Sequence, residues 1–461
     1  MEAEDTITYG STKLPIEIIL LIVESLVLQN DAARPILPAS HPTTRLLVSL
    51  TRVSREIYPT ACKLIWQNCL YIDRKSKLRR FRRYISQKSP ITGRLPCEAY
   101  GSARLYLNPL HYKFDTASTY ETNSPSTRRD NGVSGRINDG SDSDVASEHS
   151  DEWTDGSQTS SYRAAPDPSR SRSPVDDGYS QYSTHNWRDA PMQDLRTIYI
   201  LEEVLVTLAP VLKTLIVDMP LRDLDPSEDL VILKPLRQGF EALVNVEELI
   251  SVKDELYLGE TGIMQPQAFT KWPKLRRLYL YNVMMEEQLL KDMASCPQLE
   301  SAVFIRPDPS DDDLSNDDIK GGWARAWAAA NPRNRKHDGL VYEGPKMTIA
   351  ICNWPPYLPD FSGMIPHWQE VDPDNKINVL NVATHARYDR KSRKRGPIAS
   401  CQDWIRDHAL SGTMWSEVET KGQPVAAPVV FEEGQVEEDD DEWVDDDHGA
   451  DWSDDDDDSW M

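Results

Sequence analysis

Leu14-Pro15-Ile16-Glu17-Ile18-Ile19 opens a stretch that closes on Leu64-Ile65-Trp66, and the functional reading of this 461-residue chain is built outward from it. Pro15 suits a first helical position, where its missing N–H would have gone unbonded, and Glu17 lies near the positive helix end. Leu14, Ile18, Ile22 and Leu26 repeat at fourfold spacing, with Ile19 and Val23 widening the stripe. That is more apolar surface than a helix with one buried side needs, so something else must cover it. A second helix is expected from about Thr44 to Ile57, with Leu46, Leu47, Leu50 and Val53 inward and Arg52 and Arg55 at the margin. Tyr58-Pro59 breaks it, because the residue before proline is pushed out of helical geometry. Pro59 can then open a third helix that places Cys62, Ile65, Trp66 and Cys69 at three- and fourfold intervals.

In this order, Leu14-Pro15-x-Glu17-Ile18, Leu47-x-x-Leu50-x-x-Val53-Ser54-Arg55 and Leu64-Ile65-Trp66 resemble an F-box. This is the helical module by which substrate receptors dock on the Skp-type adaptor of a cullin–RING ubiquitin ligase. The resemblance implies that Leu14, Pro15, Ile18 and Ile19 contact the adaptor. It implies a structural role for Leu47, Leu50, Val53, Ser54 and Trp66. The sequence departs from the family pattern at Gln29 to Thr43, where a proline-rich loop lengthens the link between the first two helices. An ordinary helical subdomain is the alternative.

The formal net charge is -24, but Phe431 to Met461 alone holds seventeen acidic residues and no Lys or Arg, so the acidity is mostly a property of the tail. No run reads as a membrane span: Ile18 to Leu28 is too short and carries Glu24 and Ser25. Met1-Glu2-Ala3-Glu4-Asp5 lacks the basic and apolar parts of a secretory signal. The six cysteines, Cys62, Cys69, Cys97, Cys296, Cys352 and Cys401, form no C-x-x-C pair and read as reduced thiols, which fits a cytoplasmic or nuclear setting.

Between Arg74 and Lys88, eight basic residues surround Leu78, Phe81, Tyr84 and Ile85, the pattern of a helix with a greasy seam and a basic face. A solvated connector is the plain expectation; contact with nucleic acid or anionic lipid is the alternative. Residues 115–190, rich in Ser, Asp, Gly, Arg and Pro, read as a disordered insertion whose Ser141-Asp142-Ser143-Asp144 and Ser147-Glu148-His149-Ser150-Asp151-Glu152 portions resemble acidophilic kinase sites. Arg390, Lys391, Arg393, Lys394 and Arg395 could serve nuclear import.

From Pro191 onward, helical and extended runs alternate. Leu201, Val204, Leu205 and Leu208 precede Leu212-Lys213-Thr214-Leu215-Ile216-Val217; Phe240, Leu243 and Val246 precede Leu249-Ile250-Ser251-Val252. Trp272-Pro273-Lys274-Leu275 precedes Leu278-Tyr279-Leu280, and Leu289, Met293 and Cys296 precede Leu299, Val303 and Phe304. Met347 to Cys352 and Ile377 to Val382 add two extended runs. The uneven spacing resembles degenerate leucine-rich units, in which each strand and its helix complete a core with their neighbours; a conventional α/β domain is the alternative. Strand alternation nominates Thr214, Ser251, Arg277, Tyr279 and Tyr281 as substrate-facing, with Tyr279 and Tyr281 opposite Leu278 and Leu280.

The expected class is therefore α+β: a three-helix F-box-like module at 11–73, a basic connector and small packing segment at 74–114, the insertion at 115–190, an irregular leucine-rich-repeat-like α/β solenoid at 191–410, and a disordered acidic tail at 411–461. No phosphate-binding glycine loop, H-E-x-x-H or compact histidine set is present, so no catalytic residue, cofactor or metal is expected. The function expected from the resemblance is a non-catalytic receptor that joins a Skp-type adaptor and cullin ligase complex to a protein substrate, with no membrane or nucleic acid partner. The competing expectation is a nuclear scaffold or acidic chaperone whose tail binds a basic protein, with Trp443, Trp452 and Trp460 as apolar anchors.

Overall fold

The computed structural model describes residues 14–27, 34–110, 194–221, 224, 230–256, 258–259, 265–308, 317–332, 341–384 and 397–425. These belong to one unit of the chain, drawn from both sides of 111–193. The Ser/Asp-rich insertion, the basic cluster at 390–395 and the acidic tail beyond 425 lie outside the described residues.

Three helices begin the chain: α1 (Ile16–Ser25), α2 (Pro42–Leu50) and α3 (Tyr58–Asn68). Their shared core is Val23, Val27, Leu47, Ile57, Ala61 and Leu64. The second helix stops at Leu50 rather than running to Ile57. Thr51 to Val53 turn instead, and the Ser54 hydroxyl accepts a hydrogen bond from the Ile57 N–H at 3.2 Å, holding the turn that leads into the next helix. At the other end of α2, His41 Nδ1 accepts from the Thr43 N–H at 3.2 Å, with Pro42 in the first turn.

Strand β1 (Leu70–Ile72) follows, then α4 (Lys75–Ile85), α5 (Pro96–Tyr100) and β2 (Ala103–Leu107). After 111–193 come α6 (Leu195–Leu208), β3 (Leu212–Val217), α7 (Leu230–Glu241), β4 (Glu248–Ser251), β5 (Arg277–Tyr281), α8 (Glu287–Ala294), β6 (Ser301–Ile305), α9 (Ile319–Ala330), β7 (Met347–Asn353), α10 (Ile365–Val371) and β8 (Ile377–Ala383). The chain then forms α11 (Pro397–Ser411), α12 (Met414–Lys421) and β9 (Gln423–Pro424).

All nine strands join one sheet in strict chain order. Strands β1 to β8 are parallel and β9 closes the edge antiparallel. Two expected boundaries therefore shift. Residues 70–107 give the sheet its first two strands, so the segment read as a connector and the region beyond 191 share one core. Residues 414–424, assigned by composition to the tail, form α12 and β9. Nor does α4 stand free as a basic face: Arg82 pairs with Glu203 at 2.7 Å and Lys75 with Asp194 at 3.2 Å, tying it to α6.

Both faces of the sheet are covered. On one, register aligns Tyr106, Ile216, Ile250, Tyr279, Val303, Ala350 and Leu380 in a row, with Tyr281, Ile305, Cys352 and Val382 in the next. These residues form one buried cluster with Cys401, Trp404, Ile405 and Ala409 of α11 and Met414 and Val418 of α12. The alternate positions Leu215, Leu249, Leu278, Leu280, Phe304 and Ile351 are also buried, as are Leu201, Val204, Leu205 and Leu208 of α6 and Leu289 and Met293 of α8. A strand buried on both sides reads as a continuous apolar run, as β6 does over Ser301–Ile305.

Candidate functional site

The first feature is the outer side of α1. Pro15, at φ −52°, is the residue before the helix rather than its first, and its carbonyl accepts from Ile18 N–H at 3.1 Å and Ile19 N–H at 3.2 Å, so the helix starts one residue after the expected position. Val23 and Val27 point into the three-helix core, and Ile19 packs half-buried against it. Leu14 and Pro15 stay exposed, Leu14 at 59%, and the aliphatic side chains of Ile18, Leu21 and Ile22 are likewise exposed. Leu46 and Val48 of α2 add two more. Among the described residues, then, a greasy helix face has no partner, and three of the four expected adaptor-contact residues lie on it.

The residues expected to hold the module together divide. Leu47 is fully buried, Leu50 is half-buried and the Ser54 hydroxyl accepts from the Ile57 N–H in the turn before α3. Trp66 is buried between Phe81 and Tyr100, with ring centroids 6.2 and 6.3 Å away, and its Nε1–H donates to the Gly101 carbonyl at 3.0 Å. That indole fastens α3 to α4 and α5. Val53 is corrected: it is 64% exposed, because α2 has already ended and the turn carries it outward.

The second feature is the sheet face under α11 and α12. Asp218, fully buried just past β3, accepts from Arg406 Nε at 2.7 Å and Nη2 at 3.3 Å and from the Tyr106 hydroxyl at 2.6 Å, with Lys253 Nζ 3.7 Å away. Burial alone would lower Arg406, but Asp218 outweighs it and holds the guanidinium above its ordinary value. A two-pronged charged bond of this kind fixes α11 in angle as well as position. The long loop after α1 takes part too: Ile36 is buried in the same cluster, its N–H bonds the Leu410 carbonyl at 2.7 Å, and Gly412 lies so close to Arg34 that a Cβ would meet its backbone at 2.5 Å. With φ at +74° as well, position 412 suits only glycine.

The five candidate substrate-facing residues are not one surface. Tyr279 and Tyr281 are buried beneath α11 and α12, because the sheet face that alternation assigned to them is covered by the chain's own C-terminal helices. Ser251 points to the opposite side of its strand from Ile250 and Val252; it is buried, with its hydroxyl 3.3 Å from Asp254. Only Thr214 and Arg277 come together. They belong to a polar row, Arg104, Thr214, Glu248, Arg277, Ser301, Thr348 and Asn378, at the N-terminal ends of the strands.

Where that row meets the turn between α11 and α12, a cleft of about 360 Å³ is lined by Arg34, Arg104, Thr214, Glu248, Arg277 and Trp415, among others. Arg277 lies 5.6 Å from the Trp415 ring centroid. Sequence inspection missed Arg104 and Glu248. The alternation in Ala103-Arg104-Leu105-Tyr106-Leu107 does put Arg104 on the Tyr106 side, but only the register shows that it shares a row with Arg277.

All six thiols are free, and burial pushes each up, Cys296 to about 12, which leaves them protonated at neutral pH. Among the described residues no cluster of His, Cys, Asp and Glu could hold a metal ion, and no helix is long and apolar enough to cross a membrane. No protein-family model, curated protein or solved structure matches this chain.

Proposed function

We propose that the chain is a substrate-recruiting subunit of a cullin–RING ubiquitin ligase. Its α1 face docks a Skp-type adaptor, and the sheet region, an irregular leucine-rich-repeat-like unit, holds a protein substrate. The observation that carries this is the exposure of Leu14, Ile18, Leu21 and Ile22 on a helix whose opposite side is committed to the core. Four large aliphatic side chains on one accessible face suit association with another apolar surface, each contributing roughly 1.5–3 kcal/mol when fully buried, less the cost of association. Sequential parallel strands with intervening helices support the repeat-like reading of the remainder. In this role the chain contributes binding and placement: holding a substrate near the transfer site raises its effective concentration.

The test uses the full chain, because Trp66 and β1 join the helical module to the sheet and a fragment ending near Ser89 would cut through those contacts. Wild type and the L14A/I18A double variant are each mixed with purified Skp-type adaptor and analysed by size-exclusion chromatography with light scattering. Wild type is expected to form a one-to-one complex and the variant to elute unbound, with matching circular dichroism. Equal complex formation by both, or none by folded wild type, would overturn the adaptor role.

A further inference from the structure

The cleft at the N-terminal ends of β2 to β5 holds a cation that the protein does not satisfy. Arg104 Nη1 is buried without a hydrogen-bond partner. Burial lowers this guanidinium to about 10, Glu248 draws it partly back and Arg34 pushes it further down. Leaving the inner end of a charged guanidinium out of water and unbonded is unfavourable by more than leaving a neutral donor so, and an anion against the part of Arg104 that lines the cleft would offset it. The second cation comes from farther along the same row. Arg277 is three strands away; among the described residues its guanidinium makes neither ion pair nor hydrogen bond, and it lies over Trp415. The neighbouring charges Lys213–Glu247 and Arg276–Glu300 are paired with each other, which leaves Glu248 as the cleft's internal counter-charge. Its carboxylate accepts a long bond from the Thr214 hydroxyl at 3.4 Å.

We propose that this cleft binds a phosphate monoester or inorganic phosphate, held between the guanidinium groups of Arg104 and Arg277 with the Thr214 hydroxyl beneath. An anion that bridges guanidinium groups three strands apart needs acceptors pointing in several directions, more of which the tetrahedral phosphate supplies than a planar carboxylate does. A phosphate carries roughly 1.5 to 2 negative charges and three strong acceptor oxygens, enough to offset both cations despite Glu248. The cleft volume of about 360 Å³ leaves room for a short organic portion beyond the phosphate. The inference stands apart from the adaptor role, since no adaptor enters its test.

The full chain is titrated calorimetrically, at fixed ionic strength in sodium chloride, with inorganic phosphate, with a glycine-flanked phosphoserine peptide and with acetate. Saturable one-site binding of phosphate or of the peptide is expected, with acetate weaker. Peptide and phosphate of equal affinity identify a free-phosphate site, and a tighter peptide identifies a site for phosphorylated chains. R104Q and R277Q should each weaken binding by about tenfold or more, and ligand-free R104Q should melt no lower than wild type, since it removes an unpaired buried charge. R277Q, whose side chain stacks at the cleft wall, keeps the test decisive where R104Q does not fold. Absence of saturable binding, unchanged affinity in both variants, or acetate as tight as phosphate would overturn the proposal.

Discussion

Two apolar surfaces of this molecule invite comparison: the outer side of α1 and the sheet face beneath α11 and α12. Both are built from aliphatic and aromatic side chains, yet the chain covers one and leaves the other in solvent. The sheet face is sealed by a helical pair anchored through a buried carboxylate, Asp218, and a guanidinium, Arg406. Among the described residues α1, α2 and α3 carry no ion pair and are held mainly by apolar packing, with the Trp66 indole hydrogen bond fastening α3. An apolar surface is thus no guide to function until its cover is known. The face on which strand alternation placed Tyr279 and Tyr281 for substrate is occupied from within there, and the accessible apolar one lies on the first helix.

Four experiments bear on that contrast. The largest effect is expected from Arg406→Ala, which strands the buried Asp218 carboxylate. Losing one partner of a buried pair costs about 3–5 kcal/mol, and Tyr106 and Lys253 beside Asp218 place this variant near the lower figure. Urea unfolding measures it, and a change below about 1 kcal/mol, the range of an exposed pair, would mean that α11 is not clamped as described.

Next, L14A/I18A should weaken adaptor binding by about 2–4 kcal/mol while changing folding stability by less than about 0.5 kcal/mol, as expected for exposed side chains. A stability loss comparable with that of Arg406→Ala would move these residues from the open surface to a sealed one.

A smaller and pH-dependent effect is expected at Asp318, which caps α9. Burial tends to raise this carboxyl, but bonds from the Gly321 N–H, Arg325 and His367 outweigh it and hold it below the usual carboxylate range. With the folded-state value depressed, the stabilisation is present above about pH 4 and is lost as pH falls through the folded value. Melting temperatures of wild type and Asp318→Asn should differ at pH 7 by the equivalent of about 1 kcal/mol and converge in acid. A gap that widens in acid would reverse the assignment. The smallest effect belongs to Val53→Ser, within about 0.5 kcal/mol of wild type in urea unfolding. A large loss there would restore Val53 to the packing role that the F-box resemblance implies.

Much of the local structure was legible because it depends on short-range periodicity. The run Leu212 to Val217 is β3, Met347 to Cys352 lies within β7, and the apolar stripe Leu201, Val204, Leu205 and Leu208 is the buried side of α6. Alternation also separated Tyr279 from Leu278 correctly as opposite sides of β5. It could not show that α11, almost two hundred residues beyond β3 in the chain, lies over Tyr279, nor that Arg104 and Arg277 end on one row after an insertion divides their strands.

What the sequence by itself determined is several of the helical and extended runs, such as α6, β3 and β7, and roughly where an unusually greasy first helix begins, since each depends on side-chain spacing within a few turns of chain. The tertiary structure alone decided which of two apolar surfaces stays open and which charges meet in the cleft. Those outcomes depend on strand register and on where α11 comes to rest, and both are fixed by contacts between residues far apart along the chain.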